Sequence, residues 1–155
     1  MNQYIGTKLI EAEPAYRCMD GRGNVVITTR PEDAFPNYPI VEDGYRIRYP
    51  DGYVSWSPKD VFEAAYRRTD NMSFGLAIEA AKMGKKIQRA GWNGKGQYVE
   101  LATCISYTGS DGDVINAEHD AIGNKALAFV GTSGVQLGWL ASQADMLADD
   151  WRIVE

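Results

Sequence analysis

The sequence predicts an α+β fold of small antiparallel sheets and short helices, arranged as two modules at residues 1–70 and 71–155. One observation is a hairpin pattern over residues 45–56, where two short segments flank a Pro-Asp-Gly turn. Another is a pair of helix-start signals at Ser57 and Ser73, where a hydroxyl side chain precedes an amphipathic segment.

The chain has 155 residues, which is enough for one ordinary domain or two very small ones, because a core becomes self-sufficient at roughly 60 to 100 residues. Its content of 45% hydrophobic and 24% charged residues lies in the globular range. The polar segment Thr69-Asp-Asn71 lies directly before a fresh N-cap, so we place the module boundary there.

The first module is predicted to contain a strand, a loop, a hairpin and a helix. Residues 4–10 are the predicted first strand, and the Gly-, Pro- and Asp-rich stretch after them has no assigned element. Residues 45–49 alternate apolar and charged side chains with the period of a half-buried strand. Pro50 then presets φ and Gly52 accepts a positive φ, so the chain returns through residues 53–56.

A helix is predicted to follow the hairpin and to pack on it. Ser57 is its N-cap and Pro58 its first helical residue. Four side chains share the apolar face and two arginines occupy the last turn: Val61, Phe62, Ala65 and Tyr66, then Arg67 and Arg68.

The second module alternates short helices with short strands. Its first helix is capped by Ser73, ends at Gly84 and carries Phe74, Ile78 and Ala81 on one face. The predicted strands are residues 85–90, 98–103, 126–130 and 151–154, with a turn of glycines at 91–96. A short helix is predicted to begin at the N-cap Ser142 and to run through Leu147.

The composition limits the cellular compartments and the classes of partner that this chain is expected to have. No apolar stretch approaches the ~20 residues that span a bilayer, and the first residues lack the apolar segment of a signal peptide, so we expect a cytoplasmic protein without a membrane partner. Cys18 and Cys104 are far apart and neither has a Cys or His at ligand spacing. The net charge of −5 argues against long nucleic acid as a partner.

The charge is unevenly distributed along the second module. Five basic residues and no acid lie between Lys82 and Tyr98, whereas residues 104–155 carry eight acids and two bases. Two interpretations stay open. Cations favoured at a helix C-terminus and on a solvated strand would explain the basic segment, and so would a rim that faces an anion.

Catalytic and metal-binding patterns are sparse, so no catalytic residue, metal ligand or cofactor is assigned. His119 is the single histidine, which excludes any site that needs two imidazoles, and we interpret it as a surface residue of an acidic loop. Ser133 within Gly131-Thr-Ser-Gly134 lacks the second glycine of a nucleophile elbow. Gly94-Lys-Gly96 lacks the Ser or Thr of a phosphate loop.

Aromatic residues next to turns are the more informative pattern. Trp92 lies between Gly91 and Asn93, which give an indole little to pack on, so we predict an exposed stacking platform. A flat heterocycle stacked on such a ring gains ~1 to 3 kcal/mol, and the Asn93 amide can read heterocycle edges. The alternative is that Trp92 is a core anchor of a small sheet. Trp139 precedes a helix N-terminus that could accept phosphate, and Trp151 is predicted to be core.

The second module resembles the type II Thoeris anti-defence proteins, a family of small phage proteins. The resemblance lies in blocks that occur in order and cover about half of residues 72–155: Met72-Ser-Phe74, Gly84-Lys-Lys86, Arg89-Ala-Gly-Trp-Asn-Gly-Lys-Gly96, Trp139-Leu-Ala-Ser-Gln143, Asp145-Met-Leu-Ala148 and Asp150-Trp151. The first module resembles a segment often found ahead of this domain, through Tyr49-Pro-Asp-Gly-Tyr53, Ser55-Trp-Ser-Pro58 and Val61-Phe-Glu63.

The resemblance implies a molecular sponge. Members of the family are homotetramers that bind glycocyclic ADP-ribose signals from bacterial TIR enzymes and hold them intact, and some relatives also take up cyclic dinucleotides or trinucleotides of CBASS defence. The resemblance therefore implies an anti-defence protein in the cytoplasm of an infected bacterium. Carried over to this sequence, it implies that Trp92 stacks on the adenine or its neighbouring ring, that Asn93 contacts polar edges and that Phe74 lines the pocket. The second block would contribute Trp139, Ser142, Gln143 and Asp145.

This sequence departs from the family pattern between Leu101 and Leu137, and Glu100 is also unexpected. Two other functions therefore stay open. One is an enzyme that degrades a nucleotide signal with Glu100, His119 or Asp145 as acid or base. The other is a phage structural or adaptor protein whose tyrosine-rich hairpin binds another protein.

Overall fold

The computed structural model describes residues 1–34, 38–92 and 96–155, with the backbone alone at 33 and 34. The architecture is α+β, with small antiparallel sheets and a few short helices, as predicted. The chain divides into two compact units, Met1–Arg67 and Arg68–Glu155, which we call unit 1 and unit 2. No helix of the described residues is long and apolar enough to cross a membrane.

Unit 1 is built on a four-stranded antiparallel sheet with the order β2-β1-β3-β4. Its elements are β1 (Glu11–Met19), β2 (Val25–Thr28), α1 (Pro31–Ala34), β3 (Ile40–Arg48), β4 (Val54–Pro58) and α2 (Lys59–Ala65). The predicted hairpin is confirmed as β3 and β4. Its turn is closed by the Tyr49 N–H, which donates to the Tyr53 carbonyl at 2.9 Å, and Gly52 has φ +85°.

The predicted strand at residues 4–10 is wrong, because that segment has no regular structure and β1 begins at Glu11. Apolar and β-branched residues do not form a strand without a partner strand. β1 instead pairs with β3 from Glu11 to Cys18, and several directly opposed residues carry opposite charges. Three ion pairs cross these two strands: Glu11–Arg48 at 3.4 Å, Glu13–Arg46 at 3.4 Å and Arg17–Glu42 at 3.5 Å.

The helix after the hairpin begins later than predicted. β4 continues through Pro58, which pairs with Gly44 and stands at the N-cap position of α2 without a side-chain hydrogen bond. Ser57 is therefore a strand residue and does not cap the helix. α2 ends at Ala65, before Arg67 and Arg68, so its last turn carries no basic residue.

The interior of unit 1 is small. Its buried apolar side chains are Ala15, Cys18 and Ile47. On one face of the sheet Trp56 covers the buried Gly44, and its Nε1–H donates to the Ala15 carbonyl at 3.4 Å. The Tyr45 ring stacks on Phe62 of α2 with centroids 4.2 Å apart, which confirms that the helix packs on the hairpin.

Unit 2 contains a five-stranded antiparallel sheet with the order β10-β9-β6-β5-β11 and a separate two-stranded sheet, β7-β8. Its elements are α3 (Phe74–Lys82), β5 (Lys86–Arg89), β6 (Tyr98–Ala102), β7 (Tyr107–Thr108), β8 (Val114–Ile115), β9 (Ala126–Gly131), β10 (Gly134–Leu137), α4 (Gln143–Met146) and β11 (Trp151–Val154). All four predicted strands of this module are present within a residue or two. β7, β8 and β10 lie where the sequence departs from the family pattern.

The predicted first helix of unit 2 is confirmed. The Ser73 hydroxyl accepts a hydrogen bond from the Leu76 N–H at 3.4 Å, and Gly84 follows the helix with φ +83°. The helix packs on β5, β6 and β11. The core cluster of buried side chains is Met72, Ala77, Ala80, Ala81, Ile87, Val99 and Trp151. The core cluster contains residues of the helix and of the sheet, and all of them belong to unit 2.

Substitution of Gly44 tests how closely Trp56 packs on the sheet of unit 1. A Cβ at this position would lie 2.5 Å from Trp56 Cζ2 and would also overlap the Ser57 carbonyl. We expect Gly44→Ala to lower the free energy of unfolding by about 1 to 3 kcal/mol, because the backbone beneath the indole cannot move freely.

The matched control is Gly21→Ala, because a Cβ at Gly21 meets nothing within 4 Å. This change should be neutral or slightly stabilising. Chemical denaturation followed by circular dichroism measures both variants. Equal stability of the two would contradict the close packing of Trp56 on Gly44.

Candidate functional site

Five aromatic side chains of unit 2 form one cluster around Trp151, which is fully buried. Trp92 is half-buried, with its ring centroid 5.5 Å from Trp151, 5.5 Å from Phe129 and 6.0 Å from Trp139. Phe74 lies 5.5 Å from Trp151 on α3. Most of these contacts are edge-to-face, an arrangement that aromatic pairs prefer. We call these five residues the aromatic cluster.

Arg89, the last residue of β5, is held by two carboxylates. Its Nε–H donates to Asp150 Oδ1 at 2.9 Å and an Nη1–H donates to Asp145 Oδ1 at 3.1 Å. Asp150 also fixes the turn that carries Trp92. Its Oδ2 accepts the Gly91 N–H at 3.2 Å, and its carbonyl accepts the Ala90 N–H at 3.0 Å. This network ties the Trp92 turn to the start of β11.

Asp145 connects the same network to α4. Its Oδ2 accepts hydrogen bonds from the Ser142 N–H at 3.0 Å and the Ser142 hydroxyl at 2.7 Å, and the Asp145 N–H donates to that hydroxyl at 3.1 Å. This is a reciprocal capping box. The Asp145 carbonyl accepts the Trp151 indole N–H at 2.9 Å. One short helix therefore satisfies the polar atom of the most buried ring.

The network shifts the ionisation of its members. The pKa of Asp150 is lowered, chiefly by the hydrogen bond from Arg89. Burial acts to raise the pKa of Asp145, but the hydrogen bonds from Ser142 and Arg89 outweigh it and the net shift is downward. The pKa of Arg89 is raised by the hydrogen bonds to Asp150 and then Asp145. All three groups are charged near neutral pH.

The prediction that Trp92 is exposed because it has little to pack on is wrong. The neighbouring glycine offers no contact, but Phe129, Trp139 and Trp151 do, and these come from distant parts of the chain. Trp92 packs against the core cluster, as the alternative interpretation held. Its ring is nevertheless half-buried and not enclosed.

The other predicted site residues fall into different places. Trp139 and Phe74 are half-buried members of the aromatic cluster. Ser142 is confirmed as a helix N-cap, so its hydroxyl and the Asp145 carboxylate are engaged with each other at the terminus proposed for phosphate. Gln143 is exposed on α4. Asn93 lies outside the described residues.

Much of the basic segment has partners within unit 2. Lys82 pairs with Glu79 at 2.7 Å, and the Lys86 ammonium lies over the Tyr98 ring, 4.9 Å from its centroid. Arg89 is occupied by its two aspartates. Lys95 lies outside the described residues. These three contacts favour the interpretation that the cations of this segment stabilise the fold.

Sequence reasoning did not single out Arg89, Asp150 or Phe129 as parts of the site. Arg89 and Asp150 are 61 residues apart, so no local spacing indicates the pair. Phe129 lies in a strand with a short apolar run, which predicts core and gives no sign of a particular ring neighbour. One feature of the sequence could have indicated this pair, because Arg89 and Asp150 both belong to blocks that carry the family resemblance.

The fold and the cluster define a small α+β domain, in which half-buried aromatic rings lie beside a turn held by an ion-pair network. Residues 72–154 match the Tad2-like family, the Thoeris anti-defense 2-like domain. The chain belongs to this family, which confirms the relationship that the sequence blocks predicted. It is similar to Thoeris anti-defense 2 of Bacillus phage SP01, with 38% identity over 88 residues that cover 54% of this chain and 94% of that protein.

The stability of unit 2 should depend on acid through Asp150 and Asp145. A carboxylate whose pKa is lower in the folded state stabilises the fold above its unfolded pKa, which is near 3.8 here, and this contribution is lost as pH falls through the folded pKa. We expect Asp150→Asn to lower the free energy of unfolding at neutral pH by about 1 kcal/mol, since its side chain is partly exposed. The variant should also lose less stability below pH 4 than the parent chain.

Asp149→Asn is the matched control, because Asp149 is the exposed neighbour of Asp150. Thermal unfolding recorded from pH 7 to pH 3 compares the three proteins. An acid profile for Asp150→Asn that coincides with that of Asp149→Asn would contradict the role of the Arg89 network.

Proposed function

We propose that this chain is a phage anti-defence sponge, in which unit 2 binds a nucleotide-derived immune signal and holds it intact. The signal class is glycocyclic ADP-ribose made by TIR enzymes, with cyclic dinucleotides and trinucleotides of CBASS as a second class. Binding in the cytoplasm of the infected bacterium would keep the signal from its effector. Membership of the Thoeris anti-defense 2-like family supports an anti-defence function.

The observation that carries the proposal is the incomplete burial of Trp92 and Trp139 beside the fully buried Trp151. Three indoles within 6.2 Å of one another give a rigid aromatic surface. A ring that packs on the core by one part and faces outward by another can stack on a purine without reorganising the fold. The fixed turn from Arg89 to Trp92 keeps that ring in place.

Binding without turnover fits the chemistry of the nearby carboxylates. Asp145 and Asp150 are paired with Arg89 and have lowered pKa values, so they are poor proton donors and weak bases near neutral pH. A sponge requires affinity and no preference for a transition state, so aromatic stacking and polar contacts suffice. No observation in unit 2 favours an enzyme over a sponge.

We further propose that unit 2 assembles as a homotetramer. Several apolar side chains at one edge strand and around α4 are exposed: Val135 and Leu137 on β10, Leu140 before α4, and Leu147 after it. Leu140 is 90% exposed and Leu147 is 78% exposed. Apolar residues on an unpaired edge strand are typical of surfaces that other chains cover.

Substitution of Trp92 tests the stacking role. We expect Trp92→Ala to weaken binding of glycocyclic ADP-ribose by about 10- to 100-fold, because stacking of a base on an aromatic ring contributes ~1 to 3 kcal/mol. Isothermal titration calorimetry measures the affinity. Trp92→Phe keeps a ring in the aromatic cluster and should lose less affinity than Trp92→Ala.

Ile153→Ala is the matched control for loss of packing, because Ile153 contacts the same core cluster. It should lower stability by about 2 kcal/mol and leave the affinity unchanged. Mass spectrometry of the denatured complex should return the ligand with its mass unaltered. A Trp92→Ala variant that binds as tightly as the parent chain, or a ligand that is cleaved, would overturn the proposal.

Unit 2 should carry the activity alone. Its core cluster contains residues of unit 2 throughout, and the phage relative is matched over nearly its whole length. We expect residues 68–155 to fold and to bind glycocyclic ADP-ribose within about twofold of the full chain, since the described residues of the core cluster and of the aromatic cluster all belong to unit 2. Circular dichroism and calorimetry test this. A folded fragment that does not bind would contradict this prediction.

A further inference from the structure

The outer edge of β2 in unit 1 has no partner strand among the described residues. Its sequence, Val25-Val-Ile-Thr28, contains no charge and no proline. Val25, Val26 and Ile27 are 47%, 37% and 39% exposed. Edge strands are usually protected by lysine, proline, a bulge, or a covering helix or loop. β2 has no lysine, proline or bulge, and the one-turn helix α1 that follows it contacts both β2 and β1. The opposite edge differs, because β4 ends in Pro58 and leads directly into α2.

The register shows which backbone groups point outward. The Asp20 N–H donates to the Asn24 carbonyl at 3.1 Å, so Asp20 and Asn24 form a hydrogen-bonded pair at the end of the β1–β2 ladder. Hydrogen-bonded and non-hydrogen-bonded pairs alternate along an antiparallel ladder. The pairs Met19–Val25 and Arg17–Ile27 are therefore of the second kind. The N–H and C=O groups of Val25 and Ile27 point away from β1.

The side chains beside this edge are apolar on both faces of the sheet. On one face Val26 lies opposite Cys18, which lies opposite Ile40. On the other face Val25 and Ile27 are the outermost residues. A strand added at this edge would place its alternate side chains beside β-branched residues on either face, so β-branched residues would suit it.

Positive charges near both ends of β2 indicate which charges a strand added at this edge would carry at its ends. Arg22 and Arg30 are exposed and lie on either side of the apolar segment. The Asp20 carboxylate is close to Arg22 in sequence, but it accepts hydrogen bonds from the Arg22 N–H, the Asn24 N–H and the Asn24 side-chain amide. Carboxylates at the two ends of a partner strand would complement the arginines.

A second copy of β2 fits this edge poorly. Antiparallel self-pairing centred on Val26 would bring the turn that carries Arg22 in each copy towards the strand end that carries Arg30 in the other. Like charges brought together at an interface disfavour association. An acidic partner avoids this repulsion and gains two ion pairs.

We propose that the β2 edge of unit 1 is a docking site for an extended segment of another protein, with β-branched apolar residues at its centre and an acidic residue at each end. The segment adds to the sheet as a fifth strand, and its main chain bonds to Val25 and Ile27. This interaction is separate from the ligand binding proposed for unit 2. Either can fail while the other stands.

The test uses the full ¹⁵N-labelled chain and the peptide acetyl-Asp-Val-Thr-Val-Thr-Glu-amide. Titration followed by two-dimensional NMR should shift the Val25 and Ile27 amides more than the Val26 and Thr28 amides, which face β1. The same peptide with lysine at both ends should bind at least about tenfold more weakly. Absence of shifts, shifts confined to other residues, or equal binding of the lysine peptide would overturn the proposal.

Variants separate the backbone and charge contributions. Ile27→Pro removes an outward N–H, and proline is tolerated where a strand N–H faces solvent, so unit 1 should stay folded and lose the peptide. Arg22→Glu should weaken binding at least about tenfold, whereas Lys59→Glu on α2, with the same change of charge, should not. If Ile27→Pro unfolds unit 1, the comparison of Arg22→Glu with Lys59→Glu decides the question. Self-association that Ile27→Pro abolishes, without peptide binding, would overturn the proposal in favour of a second copy.

Discussion

The contact between Arg89 and Asp150 joins the parts of unit 2 that the candidate site requires. Asp150 directly precedes the fully buried Trp151, and its carboxylate also accepts the Gly91 N–H next to Trp92. Asp145 extends the network to α4 and satisfies the Trp151 indole through its carbonyl. A charged pair that is only partly buried contributes modestly to stability. Its larger consequence is positional, because the turn before Trp92 and the start of β11 cannot move independently.

The aromatic cluster is partly in the core and partly at the surface. Trp151 anchors the core, and Trp92 and Trp139 lean on it while keeping part of their surface accessible. An indole supported in this way is more rigid than one displayed on a glycine turn, so less freedom is lost when a flat ligand stacks on it. The structural and the ligand-binding interpretations of Trp92 are therefore compatible. The same ring packs on the core and, in the function we propose, stacks on a purine.

Local signals predicted much of the fold, and long-range pairing accounts for the errors. The turn at Pro50-Asp51-Gly52 and the cap at Ser73 depend on a few adjacent residues, and both are confirmed. The sequence does not predict β1 because this strand is defined by its pairing with β2 and β3, which are distant from part of it in sequence, and only Ala15 and Cys18 of β1 are buried apolar residues. The glycines next to Trp92 do not predict its burial for a similar reason, because the rings that contact Trp92 are distant from it in sequence. The family resemblance indicated the correct domain, but the Arg89–Asp150 pair became visible only in three dimensions.

The stacking role of Trp92 is tested by following the indole N–H resonances of the four tryptophans during titration with glycocyclic ADP-ribose. Trp56 lies in unit 1 and serves as the internal reference. We expect the Trp92 resonance to shift most, the Trp139 resonance to follow and the Trp56 resonance to stay in place. Saturable binding that leaves the Trp92 resonance unmoved would contradict the stacking proposal.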